Sequence, residues 1–144
     1  EYKSALEILN RATLIDSKEP DAYYYTGIAY LATKEFNKAA TSLQHSVALK
    51  PDSLQMQYSL GLVLIKCGKN ESACDAFHET VRIKPDFAEG HYMLGQIYLE
   101  TFFEIKKGVG HLSKAEKLFI KIGDFDRLSR VRELLKNRGD GLPI

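Results

Sequence analysis

The sequence predicts an all-α fold of antiparallel helix pairs repeated along a chain of 144 residues. Three observations predict it. A single step of 34 residues relates Pro51-Asp52 to Pro85-Asp86, Tyr24 to Tyr58 and Tyr92, and Gly27 to Gly61 and Gly95. Apolar residues recur at helical intervals, as in Leu60, Val63, Leu64 and Cys67, and again in Ala73, Ala76, Phe77 and Val81. The four prolines stand far apart and leave room for long helices.

The elements follow in order. Residues 3–15 read as a second helix of a pair whose first helix does not precede it, with Ala5, Leu9 and Ala12 at the places of Ala39, Leu43 and Ser46. That arrangement suggests a chain cut from a longer protein. Pro20 then falls three residues later than the repeat expects, which implies a longer linker. Asp21 to Thr33 and Phe36 to Leu49 form the first complete pair, stopped by Pro51, since a residue before proline avoids helical backbone. Asp52 with Gln55, and Asp86 with Glu89, resemble capping boxes and start the next two first helices. Cys67 to Asn70 break the second pair, and Asn70 caps a helix through Ile83. Glycine inside a helix costs about 1 kcal/mol against alanine. Close helix packing at Gly27, Gly61 and Gly95 is the expected compensation.

The third pair departs after Leu99. Its second-helix alanine is read as Ala115, eight residues late, with residues 100–107 prolonging the helix and Gly108-Val109-Gly110 breaking it. A helix from His111 to Ile122 would bury Leu112, Ala115, Leu118, Phe119 and Ile122. A last helix, 125–138, would cover the open end with Phe125, Leu128, Val131, Leu134 and Leu135, because terminal repeats need a cap. The expected organisation is one domain over 1–138, divided into 1–19, 20–53, 54–87, an irregular repeat with an insertion over 88–123, and a cap over 124–138. A loose tail follows at 139–144.

These residues resemble the tetratricopeptide repeat, a 34-residue helix-turn-helix unit. One repeat supplies Tyr23, Thr26-Gly27, Tyr30, Ala39, Leu43, Ser46 and Pro51. The next supplies Gln57, Leu60-Gly61, Leu64, Ala73, Phe77, Thr80 and Pro85, and the third supplies His91, Leu94-Gly95 and Tyr98. The resemblance covers residues 3–100 and implies a right-handed α-solenoid whose first helices line a concave, partner-binding face. On that face the resemblance places Tyr24, Tyr25 and Ile28, then Tyr58, Ser59, Leu62 and Lys66, then Tyr92, Met93 and Gln96. Tyr24, Tyr58 and Tyr92 would form a ladder. Tyrosine offers contact area and a hydroxyl at low entropic cost. The competing reading is that these rings pack between neighbouring helices. Family members that clamp a C-terminal carboxylate use lysine, asparagine and arginine where this chain has Tyr24, Ile28, Ser59, Glu89 and Met93, so no carboxylate clamp is expected.

Chemistry is not visible in the sequence. His45, His78, His91 and His111 have no close Cys or His partner at metal-ligand spacing, and His91 reads as a packed core histidine. Gly108-Val109-Gly110 lacks the strand and the lysine of a phosphate loop. The expectation is a non-catalytic adaptor, scaffold or assembly subunit without cofactor or metal, binding a partner's peptide or helix in an apolar, tyrosine-lined groove. Cys67 and Cys74 read as small apolar side chains, and an intracellular or cytoplasmic setting is expected. No apolar run is long enough to insert in a membrane.

The net charge of +1 hides an asymmetry: residues 1–100 carry 10 basic and 13 acidic side chains, and residues 101–144 carry 10 and 6. The alternative function is accordingly a nucleic-acid-associated or self-associating scaffold. It would use a basic patch of Lys106, Lys107, Arg127, Arg130, Arg132 and Lys136, or the open first helix. Too few aromatics interleave with these charges to favour nucleic acid.

Overall fold

A computed structural model describes residues 1–139; of the expected loose tail at 139–144, Gly139 ends the last helix and the rest lies outside the described residues. Eight helices and no strand are present among them. They are α1 (Tyr2–Ile15), α2 (Pro20–Ala32), α3 (Phe36–Leu49), α4 (Leu54–Lys66), α5 (Asn70–Ile83), α6 (Ala88–Glu100), α7 (Ile105–Ile122) and α8 (Phe125–Gly139). The expected single domain divides into two compact units, Glu1–Glu79 and one from Thr80 onward. In repeat architectures each element packs on its chain neighbours, so no common core ties distant repeats together.

In the first unit the period holds from the first helix. Helices α1, α3 and α5 have 14 residues each, and α2 and α4 have 13. The expected longer linker before Pro20 is absent. The turn after α1 closes with Glu19 N–H donating to Asp16 O, as Ser53 N–H donates to Lys50 O one period later. Pro20 is the first residue of α2, where proline loses no helical hydrogen bond. Asp52 is also displaced from its expected role. Pro51-Asp52 form the centre of the turn, and Ser53 caps α4 by accepting from Met56 N at 3.4 Å. Beyond this unit the same turn recurs, with Phe87 N–H donating to Lys84 O, so α6 starts after Asp86 and its N-cap is Phe87.

The helix pairs cross at the expected glycines. A Cβ on Gly27 would lie 2.6 Å from Leu43 Cγ, and one on Gly61 would lie 2.6 Å from Phe77 Cε1. Leu43, Phe77, Ala39 and Ala73 are wholly buried there. Cys74 is buried and Cys67 half-buried, and the two are not joined in a disulfide.

The second unit corrects the reading of the third pair. Gly108 and Gly110 do not break a helix; both lie inside α7. The chain turns earlier, at 101–104, where Phe103 has φ of 56°. Gly95 and Gly108 face one another, since a Cβ on either would stand 3.1 Å from the other's carbonyl oxygen. Gly108 therefore takes the place of Ala39 and Ala73, Leu112 that of Leu43 and Phe77, and Ala115 that of Ser46 and Thr80. Ala115 is in register one residue late, not eight. The extra residue sits in the turn: Glu35 N–H donates to Tyr30 O and Lys69 N–H to Leu64 O, five residues back, whereas Glu104 N–H reaches Tyr98 O, six back. Composition misleads here because glycine serves both a break and a close crossing.

Helix α7 also runs on where the other second helices stop. Ile120 stands in the place of Pro51 and Pro85, and the helix continues to Gly123, whose φ is 75°. Its core side is Leu112, Ala115 and Phe119, joined by Leu99 of α6 and by Leu128 and Val131 of α8. Leu134, Leu135 and Leu118 pack at its edge. Phe125 and Ile122, expected in this core, are 69% and 62% exposed. They flank the two-residue turn at 123–124, which carries them clear of the helix contact.

Candidate functional site

The first helices of the repeats carry the expected contact residues, and the structure grades them by depth. In the first unit, Tyr24 is buried, at 8% exposure. Its hydroxyl accepts a hydrogen bond from Gln55 Nε2 of α4 at 2.9 Å. The expected open ladder therefore does not begin at Tyr24, because the next first helix roofs that ring. Tyr24 instead supports Tyr25, which meets it edge-on at 5.3 Å and is 56% exposed. Ile28, Tyr58, Ser59 and Leu62 are half-buried, and Lys66 is exposed. Tyr58 rests edge-on against Phe77 at 5.8 Å.

In the second unit, Tyr92, Met93 and Gln96 of α6 are half-buried. Tyr92 packs against the cluster that α8 completes. Burial pushes its phenol up from the ordinary value; nearby Arg130 opposes this, and Glu100 and Glu133 add to it. Glu89, one turn before Tyr92, binds Arg127 of α8 at 2.6 Å. Helix α8 thus occupies the neighbourhood that the tyrosine ladder was expected to leave open.

Three of the six residues of the basic patch are paired within the chain. Lys107 pairs with Glu104 at 2.5 Å and lies over the Tyr98 ring. Arg127 is shared between Glu89 and Asp124, and Arg132 pairs with Glu116 at 2.8 Å. Lys106, Arg130 and Lys136 are exposed. A cation neutralised within the chain offers less to phosphates, which bind by displacing counterions from unpaired charge.

One constellation was missed. His91 and His111, 20 residues apart, meet with Nδ1 atoms 3.0 Å apart and rings stacked at 5.3 Å. His91 Nε2–H donates to Pro85 O at 2.9 Å, so in neutral His91 the Nδ1 lone pair accepts from His111 Nδ1–H. Tyr98 stacks on the other ring of the pair, His111, at 5.7 Å. No linear spacing signals this pair, since the turn between α6 and α7 brings the rings together. No group of three or more potential ligands is placed to hold a metal ion among the described residues. No helix among them is long and apolar enough to cross a membrane.

Crossed helix pairs at a 34-residue period, with glycine at each crossing, define a tetratricopeptide-repeat protein, a class of protein-interaction module. The family described as anaphase-promoting complex, cyclosome, subunit 3 matches residues 1–80, and the chain belongs to it. Anaphase-promoting complex subunit 3 of Schizosaccharomyces pombe is 31% identical over 71 residues, 49% of this chain. The chain spans 11% of that curated relative's length. Among solved structures, a crystal structure of MamA superposes with a TM-score of 0.79 at 28% identity, covering 85% of this chain and 71% of the other. MamA from Desulfovibrio magneticus RS-1, residues 41 to the end, gives 0.72 at 21% identity, covering 94% and 86%. The fold is the tetratricopeptide-type α-solenoid of these proteins.

Proposed function

We propose that the chain acts as an assembly module, binding a polypeptide segment of a partner on the face carried by α2 and α4. Tyr25 carries this reading. It is a large aromatic side chain, 56% exposed on a rigid helix, held upright by Tyr24, which Gln55 fixes in turn. An anchored and exposed tyrosine binds with little loss of side-chain freedom. Ile28, Tyr58 and Leu62 supply apolar area beside it, and Ser59 and Lys66 supply polar contacts. On α6, Met93 and Gln96 are candidates for the same role in the second unit. Tyr24 and Tyr92 serve as supports. The relative from Schizosaccharomyces pombe is named as a subunit of a complex, which favours another subunit of an assembly as the partner.

Replacing Tyr25 and Tyr58 by Ala tests this. Quantitative affinity capture by the variant should lose the specific partners captured by the parent, while the variant keeps its helix content and a cooperative melt. Equal capture by a folded double variant would refute the assignment. The basic-patch reading is less favoured because Lys107, Arg127 and Arg132 are paired within the chain.

A further inference from the structure

Helix α7 carries four exposed lysines, Lys106, Lys114, Lys117 and Lys121. None of them pairs with a carboxylate among the described residues. At about 100° per residue they share an arc of about 80° and run about 22 Å along the helix. The arc lies opposite Leu112, Ala115 and Phe119, the core side of α7. The acids nearest in sequence are engaged elsewhere. Glu104, at the N-cap, pairs with Lys107, and Glu116, the acid inside α7, pairs with Arg132. Like charges three and four residues apart on a helix repel, so the stripe weakens α7. The repeat does not call for it. At the equivalent places α3 has Asn37, His45 and Ala48, and α5 has Glu71, Glu79 and Arg82.

Gly110 stands inside this stripe, about one turn from Lys106 and from Lys114. A Cβ there would meet nothing within 4 Å. At Gly27, Gly61, Gly95 and Gly108 a Cβ would stand 2.6 Å from a side chain of the paired helix. Each of those glycines is compensated by the helix that crosses it. Gly110 carries the same penalty for its own helix, with no crossing helix over it among the described residues. Ile120 borders the stripe and is 50% exposed, which offers apolar area to a helix packed there. Two destabilising features, repelling lysines and an uncovered glycine, thus coincide on one face.

We infer that α7 docks an acidic helix of a partner polypeptide. The partner helix crosses at Gly110 and sets its carboxylates against Lys106, Lys114, Lys117 and Lys121. Charge complementarity selects the sign of the partner, and the notch selects its shape. A glycine admits the close approach of another backbone, as it does at the chain's own crossings. A phosphate chain or a lipid surface gains nothing from that notch, and the stripe holds no aromatic ring on which a base could stack. This contact belongs to α7 and does not use Tyr25.

The probe is a helical peptide of three Ala-Glu-Ala-Ala-Glu-Ala-Ala heptads, titrated into the isotope-labelled chain and followed by two-dimensional NMR. Saturable shifts are expected at the Gly110 amide and its neighbours on α7, with none from the same peptide carrying glutamine for glutamate. Gly110→Gln fills the notch without changing charge. It should weaken binding about tenfold, as an overpacked contact does, with helix content by circular dichroism intact. Lys114→Gln with Lys117→Gln should weaken binding about fivefold, and Lys84→Gln, at an exposed lysine of the turn before α6, should leave it unchanged. Polyuridylate, and vesicles of phosphatidylserine and phosphatidylcholine, should bind the parent and Gly110→Gln alike and more weakly than the peptide binds the parent. Equal binding of the glutamine peptide, no saturable shift on α7, unchanged affinity in Gly110→Gln, an equal loss in Lys84→Gln, or tighter binding of polyuridylate or vesicles would overturn the inference.

Discussion

His91 and Gln57 stand one period apart and make the same bond. Gln57 Nε2 donates to Pro51 O at 3.0 Å, and His91 Nε2 donates to Pro85 O at 2.9 Å. Both side chains are buried, at 7% and 5% exposure, at a place where the first repeat has Tyr23. The two residues are interchangeable ways of satisfying the carbonyl of the turn proline.

His91→Gln should therefore be tolerated, because the glutamine can repeat the Gln57 geometry. His91→Leu fills similar space but removes the donor to Pro85 O, and losing a hydrogen bond of this kind costs about 0.5–1.5 kcal/mol. Urea unfolding of the two variants should separate them by that margin. Equal stability would show that the Pro85 bond contributes nothing net.

Two glycines of α7 give opposite predictions. A methyl group at Gly108 would meet Leu99 Cγ and Cδ2 at 2.6 Å, so Gly108→Ala should destabilise by about 1–3 kcal/mol through overpacking. A methyl at Gly110 meets nothing within 4 Å, so Gly110→Ala should stabilise by about 0.5–1 kcal/mol, the helical preference of alanine. Paired denaturation curves decide it, and a shared sign would contradict the crossing described above.

Lys34, Gly68 and Phe103 all have positive φ, at 61°, 72° and 56°, in the turn that joins the helices of their pair. This backbone costs an L-residue about 1–2 kcal/mol, offset in part by the entropy that glycine loses on folding. Phe103→Gly should stabilise by about 0.5–1 kcal/mol, since the ring is 73% exposed and little packing is lost. Gly68→Ala should do the reverse. A thermal melt of each variant checks the signs.

Burial raises the Tyr92 phenol above its ordinary value. In the unfolded chain the phenol ionises first as pH rises. Its contribution to stability is thus fully present below the unfolded value of about 10 and is lost as pH climbs through the folded one. Tyr92→Phe should flatten the alkaline limb of stability against pH. Difference absorbance of tyrosinate in the parent should show a late-titrating phenol that the variant lacks, which identifies it as Tyr92.

Much of the architecture is written in the period. Gly27, Gly61 and Gly95 mark crossings because a buried glycine inside an apolar helix has few other uses, and Phe36 to Leu49 is bounded as its sequence predicts. Other features depend on partners that linear spacing does not show. Tyr24 and Tyr25 are adjacent tyrosines, and only the arrival of Gln55 from the next repeat decides which is roofed and which is exposed. His91 and His111 meet only because the turn between them folds back. Asp52 looks like a cap by composition, but Pro51 draws it into a turn and passes the role to Ser53.

The residue added between Tyr98 and Glu104 also says where this chain can change length. One residue inserted within a helix rotates everything after it by about 100°, enough to swing a buried stripe toward solvent. The turn absorbs the same addition as a slightly wider bend, and Gly108, Leu112 and Ala115 still reach their partners in phase. Length variation in such a chain is quarantined at its bends, where angular error does not propagate. Related chains can drift in spacing there and keep every crossing aligned.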